Sequence, residues 1–121
     1  MAKLPRPGAV KTRLAPAVGQ QGASRLYTAF LRDVLRVVDG AAVAAQAQAL
    51  LFIGLPADAE LKDAEALLLA EPQASWTLAA QPSGNLGDRM EAARTYTGAE
   101  AGLIVGSDAP HMPPTRLVEA L

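Results

Sequence analysis

Leu50-Leu51-Phe52-Ile53 is an uninterrupted apolar run, and two similar runs follow it at Trp76-Thr77-Leu78-Ala79 and Leu103-Ile104-Val105. None of the three strictly alternates apolar and polar side chains, and Gly, Pro or polar residues bound each one. Short continuous runs of this kind are typical of strands that are buried on both faces of a parallel sheet. The three runs therefore predict three such strands.

Helical patterns lie around these runs. Apolar residues recur at helical spacing from about Gln20 to Val38, and the spacing predicts further helices over 58–70 and 86–96. A last helix is expected to begin near Pro113-Pro114, because Pro is tolerated in a first turn. Strands and helices that alternate in this way predict an α/β domain with right-handed crossovers.

Three segments carry turn or connection signals instead. Residues 1–19 are expected to form a loop, because Pro and Gly interrupt them densely. Asp39-Gly40 is expected to end the first long helix, since Gly is favoured just past a helix end. Residues 41–48 are rich in Ala and fit either a helical tail or a connection.

The composition of the 121 residues limits the class of protein. Half of them are hydrophobic and 19% are charged, which excludes a disordered chain. The absence of cysteine excludes thiolate chemistry, and a single His excludes a His-based triad. The sequence lacks a strongly apolar stretch of about 20 residues and a signal-peptide pattern. We therefore expect a single cytoplasmic domain over residues 1–121, without a membrane contact.

The charge is distributed unevenly along the chain. Residues 1–36 hold seven basic residues and one acidic residue, whereas residues 37–121 hold four basic and 11 acidic residues. This asymmetry indicates an anionic partner near the N-terminal segment. Aromatic residues make up only 4% of the chain and its pI is about 5.7, so we expect no nucleic acid as partner. A small phosphorylated ligand fits better.

The loop from Lys3 to Leu14 is the strongest candidate for phosphate binding. Gly8 lets the backbone approach a ligand closely, and Lys11 and Arg13 bring two cations to it. This combination suits a diphosphate or triphosphate, although the spacing is not that of a Walker loop. The alternative is a basic loop that is merely solvated.

Two polar residues follow the predicted strands. Asp108 lies after the third run, where the carboxyl end of a parallel strand meets ligands, and its carboxylate suits Mg²⁺. The alternative is a carboxylate that caps the turn before Pro110. Gln81 follows the second run, and its amide suits the edge of a nucleobase; a plain loop residue is the alternative.

A resemblance to a known family rests on four ordered motifs. The segment Ala2–Leu14 resembles the signature A-K-x-P-x-P-G-x-V-K-T-R-L, residues 26–33 match a following helix, residues 81–90 match Q-x-x-G-x-L-G-x-R-M, and residues 106–110 match G-x-D-x-P. These motifs are those of GT-A-superfamily, nucleotide-diphospho-sugar-transferase-like proteins. Some members of this largely uncharacterised family are labelled as glycosyltransferases of the arsenosugar-biosynthesis or radical-SAM/selenodomain-associated type. The K-T-R-L and D-x-P elements are also similar to 2-phospho-lactate guanylyltransferase.

The resemblance implies a GT-A fold, a three-layer α/β sandwich with a mainly parallel sheet, and a role for each candidate residue. Lys11 and Arg13 would engage the nucleotide phosphates and Asp108 would hold Mg²⁺ or Mn²⁺, so that these three carry the catalysis. Gln81 and Gly87 are similar to the element that contacts the base in sugar-nucleotide pyrophosphorylases.

Two further residues complete the implied nucleotide site. Gly8 would bring the loop backbone close to the ligand. Arg89 would support the phosphates, or would pair with a carboxylate such as Asp88 or Glu91.

The implied activity is a Mg²⁺-dependent transfer of a glycosyl or nucleotidyl group from a nucleoside triphosphate or nucleotide-sugar. The alternative is a nucleotide-binding remnant without catalysis. Family members have an apolar strand before the first motif and an acidic, Gly-rich segment after the position of Leu121. We therefore expect an incomplete domain that is marginally stable, prone to aggregate, or a homodimer through its open sheet edge.

Overall fold

The fold of this computed structural model is built around a three-stranded parallel sheet, and the residues described are 1–67 and 72–121. The elements in chain order are β1 (Ala2–Lys3), α1 (Ala15–Ala45), β2 (Ala49–Gly54), α2 (Lys62–Glu65), β3 (Trp76–Ala80), α3 (Leu86–Thr97) and α4 (Pro114–Ala120). The strand order is β1-β2-β3, with Ala2 opposite Ile53 and Ala49 opposite Trp76. The predicted α/β class is confirmed.

The central strand β2 explains the layered architecture. Leu51 and Ile53 pack in one apolar cluster with Leu31 and Leu35 of α1. Phe52, which alternates with them, packs on the opposite face of the sheet with Ala93 of α3. A strand that is buried on both faces needs a covering layer on each side. The sheet therefore lies between α1 and α3, as the predicted three-layer sandwich requires.

The edge strand β3 differs from the prediction in its burial. Its first four residues are the predicted ones, but Ala79 alone among the five is buried. β2 fills one edge of β3, and the described residues add no strand at its other edge. The prediction of burial on both faces is therefore right for β2 and wrong for β3.

The third apolar run is not a strand, which corrects the prediction for Leu103-Ile104-Val105. Among the described residues, the run makes one hydrogen bond through its backbone. The Met1 ammonium donates to the Val105 carbonyl oxygen over 2.7 Å. β1 is only two residues long and pairs with β2. Without a regular parallel partner the run stays irregular, and Leu103 and Ile104 remain exposed.

The long helix α1 also differs from the prediction. Its backbone breaks at Gly19, next to the predicted start, but it continues through Asp39-Gly40 to Ala45. The predicted end was wrong because Gly40 keeps the helical conformation and does not adopt the left-handed one that ends a helix. The Ala-rich segment that follows favours the helix, which ends at Gln46 in a left-handed conformation.

Two loop and helix predictions need correction as well. Residues 1–19 are not loop throughout, because Ala2–Lys3 pairs with β2, the buried side chains of Ala2 and Leu4 join the core, and α1 begins at Ala15. Within the described part of the predicted helix 58–70, α2 covers only Lys62–Glu65. Residues 68–70 lie outside the described residues.

The last two helices follow their predictions closely. α3 begins with a capping box between Asn85 and Asp88 and ends at Gly98, whose φ is 60°. α4 begins at Pro114 and packs on α1 through Leu117. Among the described residues, no helix is both long and apolar enough to cross a membrane.

Candidate functional site

A cleft of about 610 Å³ opens at the carboxyl ends of the strands. One wall is the segment 9–14, the other is formed by Gly84 and the first turn of α3, and Ser107-Asp108 faces both. Ligands of open α/β sheets bind at this end, because the loops that follow the strands converge there. The fold thus brings together segments that are far apart in sequence.

The Lys11–Asp108 ion pair spans the cleft. Lys11 Nζ donates to Asp108 Oδ1 over 2.5 Å. The Lys11 side chain is 26% exposed, whereas that of Asp108 is 72% exposed. Lys11 has a φ of 49°, a left-handed conformation that is uncommon outside glycine and that is often found at functional sites. The structure therefore joins the two residues on which the predicted phosphate and metal sites depend.

The loop that carries Lys11 is held by its neighbours. Val10 is buried in the core, and Ala9 N donates to the Arg6 carbonyl oxygen over 3.0 Å in a turn. Gly8 in that turn has a φ of 78°, which a side chain would strain. Arg6 donates to Asp58 over 2.7 Å, and this hydrogen bond lowers the pKa of the Asp58 carboxyl. Gly8 shapes the loop but is not part of the cleft lining.

Three further cations line the cleft, namely Lys3, Arg13 and Arg89. Arg89 Nε donates to the Gly84 carbonyl oxygen over 3.0 Å, which fixes the side chain beside the turn that precedes α3. The carboxylates suggested as partners for Arg89 are otherwise engaged: Asp88 in the capping box and Glu91 with Arg94. Arg94 donates to Glu91, and this hydrogen bond lowers the pKa of the Glu91 carboxyl.

Gln81 lies in the cleft but uses its amide to join strands. Its Nε2 donates to the carbonyl oxygens of Ala2, at 3.0 Å, and Phe52, at 2.6 Å. Because both partners are acceptors, the hydrogen-bond network itself assigns the orientation of the amide. Both N–H groups are thus in use, and only Oε1 is left to contact a base.

Gly87 lies apart from the other predicted site residues. It is in the first turn of α3 and borders a larger apolar hollow of about 1090 Å³ beside the sheet. The structure therefore brings together Lys11, Arg13, Asp108, Gln81 and Arg89, while Gly8 and Gly87 lie outside the cleft lining.

Two residues of the cleft were missed as functional candidates. In the sequence, Tyr27 belongs to the helical pattern from Gln20 to Val38, and Ser107 belongs to the motif at residues 106–110. Tyr27 is a polar-tipped aromatic within an aliphatic helix stripe, and a buried Tyr hydroxyl usually finds a partner. The presence of a Tyr on this apolar helix face could therefore have indicated that the face contacts a polar group.

The donor set of the cleft fits a divalent cation only together with a ligand. Asp108 is the one carboxylate in the described lining, and the described residues contain no group of three potential metal ligands. Mg²⁺ commonly takes one or two carboxylates and completes its shell with phosphate oxygens and water. A cation shared between Asp108 and a phosphorylated ligand therefore fits, and a cation held by protein alone does not.

This chain therefore belongs to the class of three-layer α/β proteins that have a cleft at the carboxyl ends of their strands. It belongs to the family described as uncharacterized protein conserved in bacteria (DUF2064), which matches residues 37–121. A solved structure from Desulfovibrio desulfuricans G20, described as a "putative nucleotide-diphospho-sugar transferase", is similar with a TM-score of 0.71 and 32% identity. The similarity covers 97% of this chain and 48% of that one, so the chain spans about half its length. No match was found among curated proteins.

Proposed function

We propose that the cleft binds the phosphates of a nucleoside triphosphate or nucleotide-sugar together with Mg²⁺, as part of a glycosyl- or nucleotidyltransferase. The observation that carries this proposal is the Lys11–Asp108 pair, which meets across a cleft lined by three more cations. The solved structure that is 32% identical and is described as a nucleotide-diphospho-sugar transferase supports the same class of ligand.

The Lys11–Asp108 pair explains how such a ligand would enter. A phosphate group competes with Asp108 for the ammonium of Lys11, while a divalent cation competes with Lys11 for the carboxylate. Either partner alone leaves one charge of the pair uncompensated, whereas the nucleotide with its cation satisfies both. We therefore expect the nucleotide and Mg²⁺ to bind with positive coupling.

Arg13 and Arg89 extend the positive charge on both walls of the cleft. A guanidinium group binds phosphate oxygens through two parallel hydrogen bonds, so the two arginines suit a diphosphate that lies between the walls. Mg²⁺, when bound, would neutralise charge on the leaving phosphate. The residues of the chain would hold that phosphate and orient the donor.

The roles of Gln81 and Gly87 and the type of group transferred are part of the same proposal. Gln81 would contact the base through Oε1, and Gly87 would act by shaping the start of α3. Glycosyl and nucleotidyl transfer share the phosphate-binding chemistry, so the cleft supports both. The resemblance to 2-phospho-lactate guanylyltransferase stays a prediction.

Calorimetry with UDP, GDP, ADP and CDP in the presence of Mg²⁺ tests the proposal. The double variant Lys11→Ala/Arg13→Ala should weaken the affinity by about 2–5 kcal/mol, because it removes two charge-assisted contacts. The matched control is Lys62→Ala/Arg116→Ala, which removes the same two charges at exposed positions away from the cleft. The control should bind like the wild type.

Equal affinity in the cleft double variant and the control would remove the loop from the site. A product assay with nucleotide-sugars and nucleoside triphosphates then separates the two forms of the proposal. Binding without any turnover would favour the nucleotide-binding protein without catalysis.

A further inference from the structure

The hydroxyl of Tyr27 connects the two sides of the candidate cleft. Tyr27 belongs to α1 and is only 4% exposed. Its hydroxyl oxygen accepts a hydrogen bond from Lys3 N over 2.9 Å and lies 3.1 Å from Ser107 Oγ. Lys3 lines the cleft, and Ser107 immediately precedes Asp108.

The direction of these hydrogen bonds follows from the donors available. The backbone N–H of Lys3 can only donate, so the Tyr27 oxygen accepts there and keeps its own hydrogen free. That hydrogen can be given to Ser107 Oγ. One buried hydroxyl thus holds the end of β1 and the segment that carries Asp108.

Few hydrogen bonds and ion pairs hold the segment before Asp108. Residues 103–105 form no strand, and the described polar interactions of the segment are three in number. They are the Met1–Val105 hydrogen bond, the Tyr27–Ser107 hydrogen bond and the Lys11–Asp108 ion pair. Of these, the contact of Tyr27 is the one that begins in the packed core of the protein.

We propose that Tyr27 is a positioning residue, whose hydroxyl sets Asp108 opposite Lys11 by holding Ser107. The ligand that uses this arrangement is that of the proposed function, on which this part of the inference rests. The geometry of the cleft can be tested without any ligand.

Carbodiimide coupling provides the test, because it joins an amine to a carboxylate only when the two are in contact. Peptide mass spectrometry of the treated protein measures the yield of the Lys11–Asp108 amide. Tyr27→Phe keeps the buried ring and removes the hydroxyl, and it should lower this yield severalfold. The Lys62–Glu60 pair, with Nζ and Oε2 2.9 Å apart, is an internal control whose coupling should not change.

Ser107→Ala is the second variant, and it leaves the aromatic core untouched. It removes the same hydrogen bond from the other side and should lower the Lys11–Asp108 yield as Tyr27→Phe does. In the double variant the yield should fall no further than in Tyr27→Phe, because both changes delete the Tyr27–Ser107 hydrogen bond. Unchanged coupling in Ser107→Ala and in a folded Tyr27→Phe would overturn the positioning role and leave Tyr27 as a core residue.

A nucleotide titration of the same proteins separates the two proposals. If the wild type binds no nucleoside diphosphate while the coupling falls as expected, the positioning role stands and the proposed function fails. If the wild type binds, Tyr27→Phe should lose most of the enhancement of affinity by Mg²⁺. Because Tyr27→Phe differs from the wild type by a single oxygen atom, any change in this titration is due to the hydroxyl.

Discussion

Asp39 shows how one carboxylate shapes the start of a strand. It is 6% exposed, and its oxygens accept hydrogen bonds from Gln73 N, Ala74 N and Trp76 Nε1 at 3.0, 3.0 and 2.7 Å. Burial by itself would raise the pKa of Asp39, but donation by Trp76, Ala74 and Gln73 outweighs it and lowers the pKa below its ordinary value of 3.8. The carboxylate thus joins α1 to the turn before β3.

Asp39→Asn should destabilise the fold by about 2–4 kcal/mol at neutral pH, because its amide nitrogen would oppose one of the three donors. Urea denaturation measures this loss. Asp33→Asn is the matched control on the same helix, where an exposed carboxylate pairs with Arg36 over 2.8 Å. Its effect should stay within about 0.5 kcal/mol. Equal losses in the two variants would contradict the role given to Asp39.

The lowered pKa of Asp39 also predicts a dependence of stability on pH. A carboxyl group whose pKa is lower in the folded state stabilises the fold above its unfolded pKa, and this contribution is lost as pH falls through the folded pKa. The free energy of unfolding of the wild type should therefore fall below about pH 4, near the ordinary value of 3.8. The curve of Asp39→Asn should be flatter in that range. Parallel curves for the two proteins would contradict the assignment.

At the scale of elements, the start of α3 depends on a glycine that the helical pattern does not reveal. Gly84 has a φ of 126°, and an added Cβ would lie 2.8 Å from Asp88 Oδ2. The same Asp88 oxygen accepts the N–H of Asn85 in the capping box. The carbonyl oxygen of Gly84 also accepts from Arg89, so this turn serves both the helix and the cleft.

Gly84→Ala should destabilise the protein by about 1–3 kcal/mol, through backbone strain and displacement of the cap. Thermal denaturation followed by circular dichroism measures the effect. Gly102→Ala is the control, because an added Cβ there meets no described atom within 4 Å. A melting temperature that drops equally in both variants would show that the turn has no special requirement for glycine.

The elements that the sequence predicted well are those whose signals are local. The apolar run of β2 and the Asn85–Asp88 box of α3 carry their own boundaries. At Asp39-Gly40 the local signal is misleading, because Asp39 accepts hydrogen bonds from residues 34 or more positions away, which no local pattern shows, and Gly40 stays helical. The run 103–105 is apolar enough for a strand, but a strand also needs a hydrogen-bonded neighbour.

The sequence predicted the charged residues of the candidate site but not all of their contacts. The charged residues Lys11 and Asp108 could be singled out from their types and motifs, and the fold does bring them into contact. The use of the Gln81 amide between strands could not be predicted, because it depends on where the carbonyl groups of Ala2 and Phe52 lie. The contact of Tyr27 with Ser107 likewise spans 80 residues.

At the scale of the whole molecule, the run 103–105 presents apolar side chains and backbone groups without a regular partner. Unpaired backbone groups beside apolar side chains are a template for association with another chain. We propose that a homodimer forms through this irregular run. Sedimentation should therefore show an association that depends on concentration.

Ile104→Lys should weaken this association at least tenfold, because it places a charge on the associating surface. Val43→Lys is the matched control on α1, since Val43 and Ile104 are both 44% exposed. The control should associate like the wild type. A monomer at all concentrations, or equal effects of the two changes, would contradict a dimer through this edge.

The linkage between nucleotide and Mg²⁺ tests the central claim most directly. Calorimetry compares the wild type with Asp108→Asn, using the nucleoside diphosphate that binds best, once with Mg²⁺ and once with EDTA. Mg²⁺ should tighten binding to the wild type and have no effect on the variant. With EDTA the variant should bind at least as well as the wild type, because Lys11 no longer has to leave a carboxylate. If Mg²⁺ shifts both affinities equally, Asp108 holds no cation and the account of the cleft is wrong.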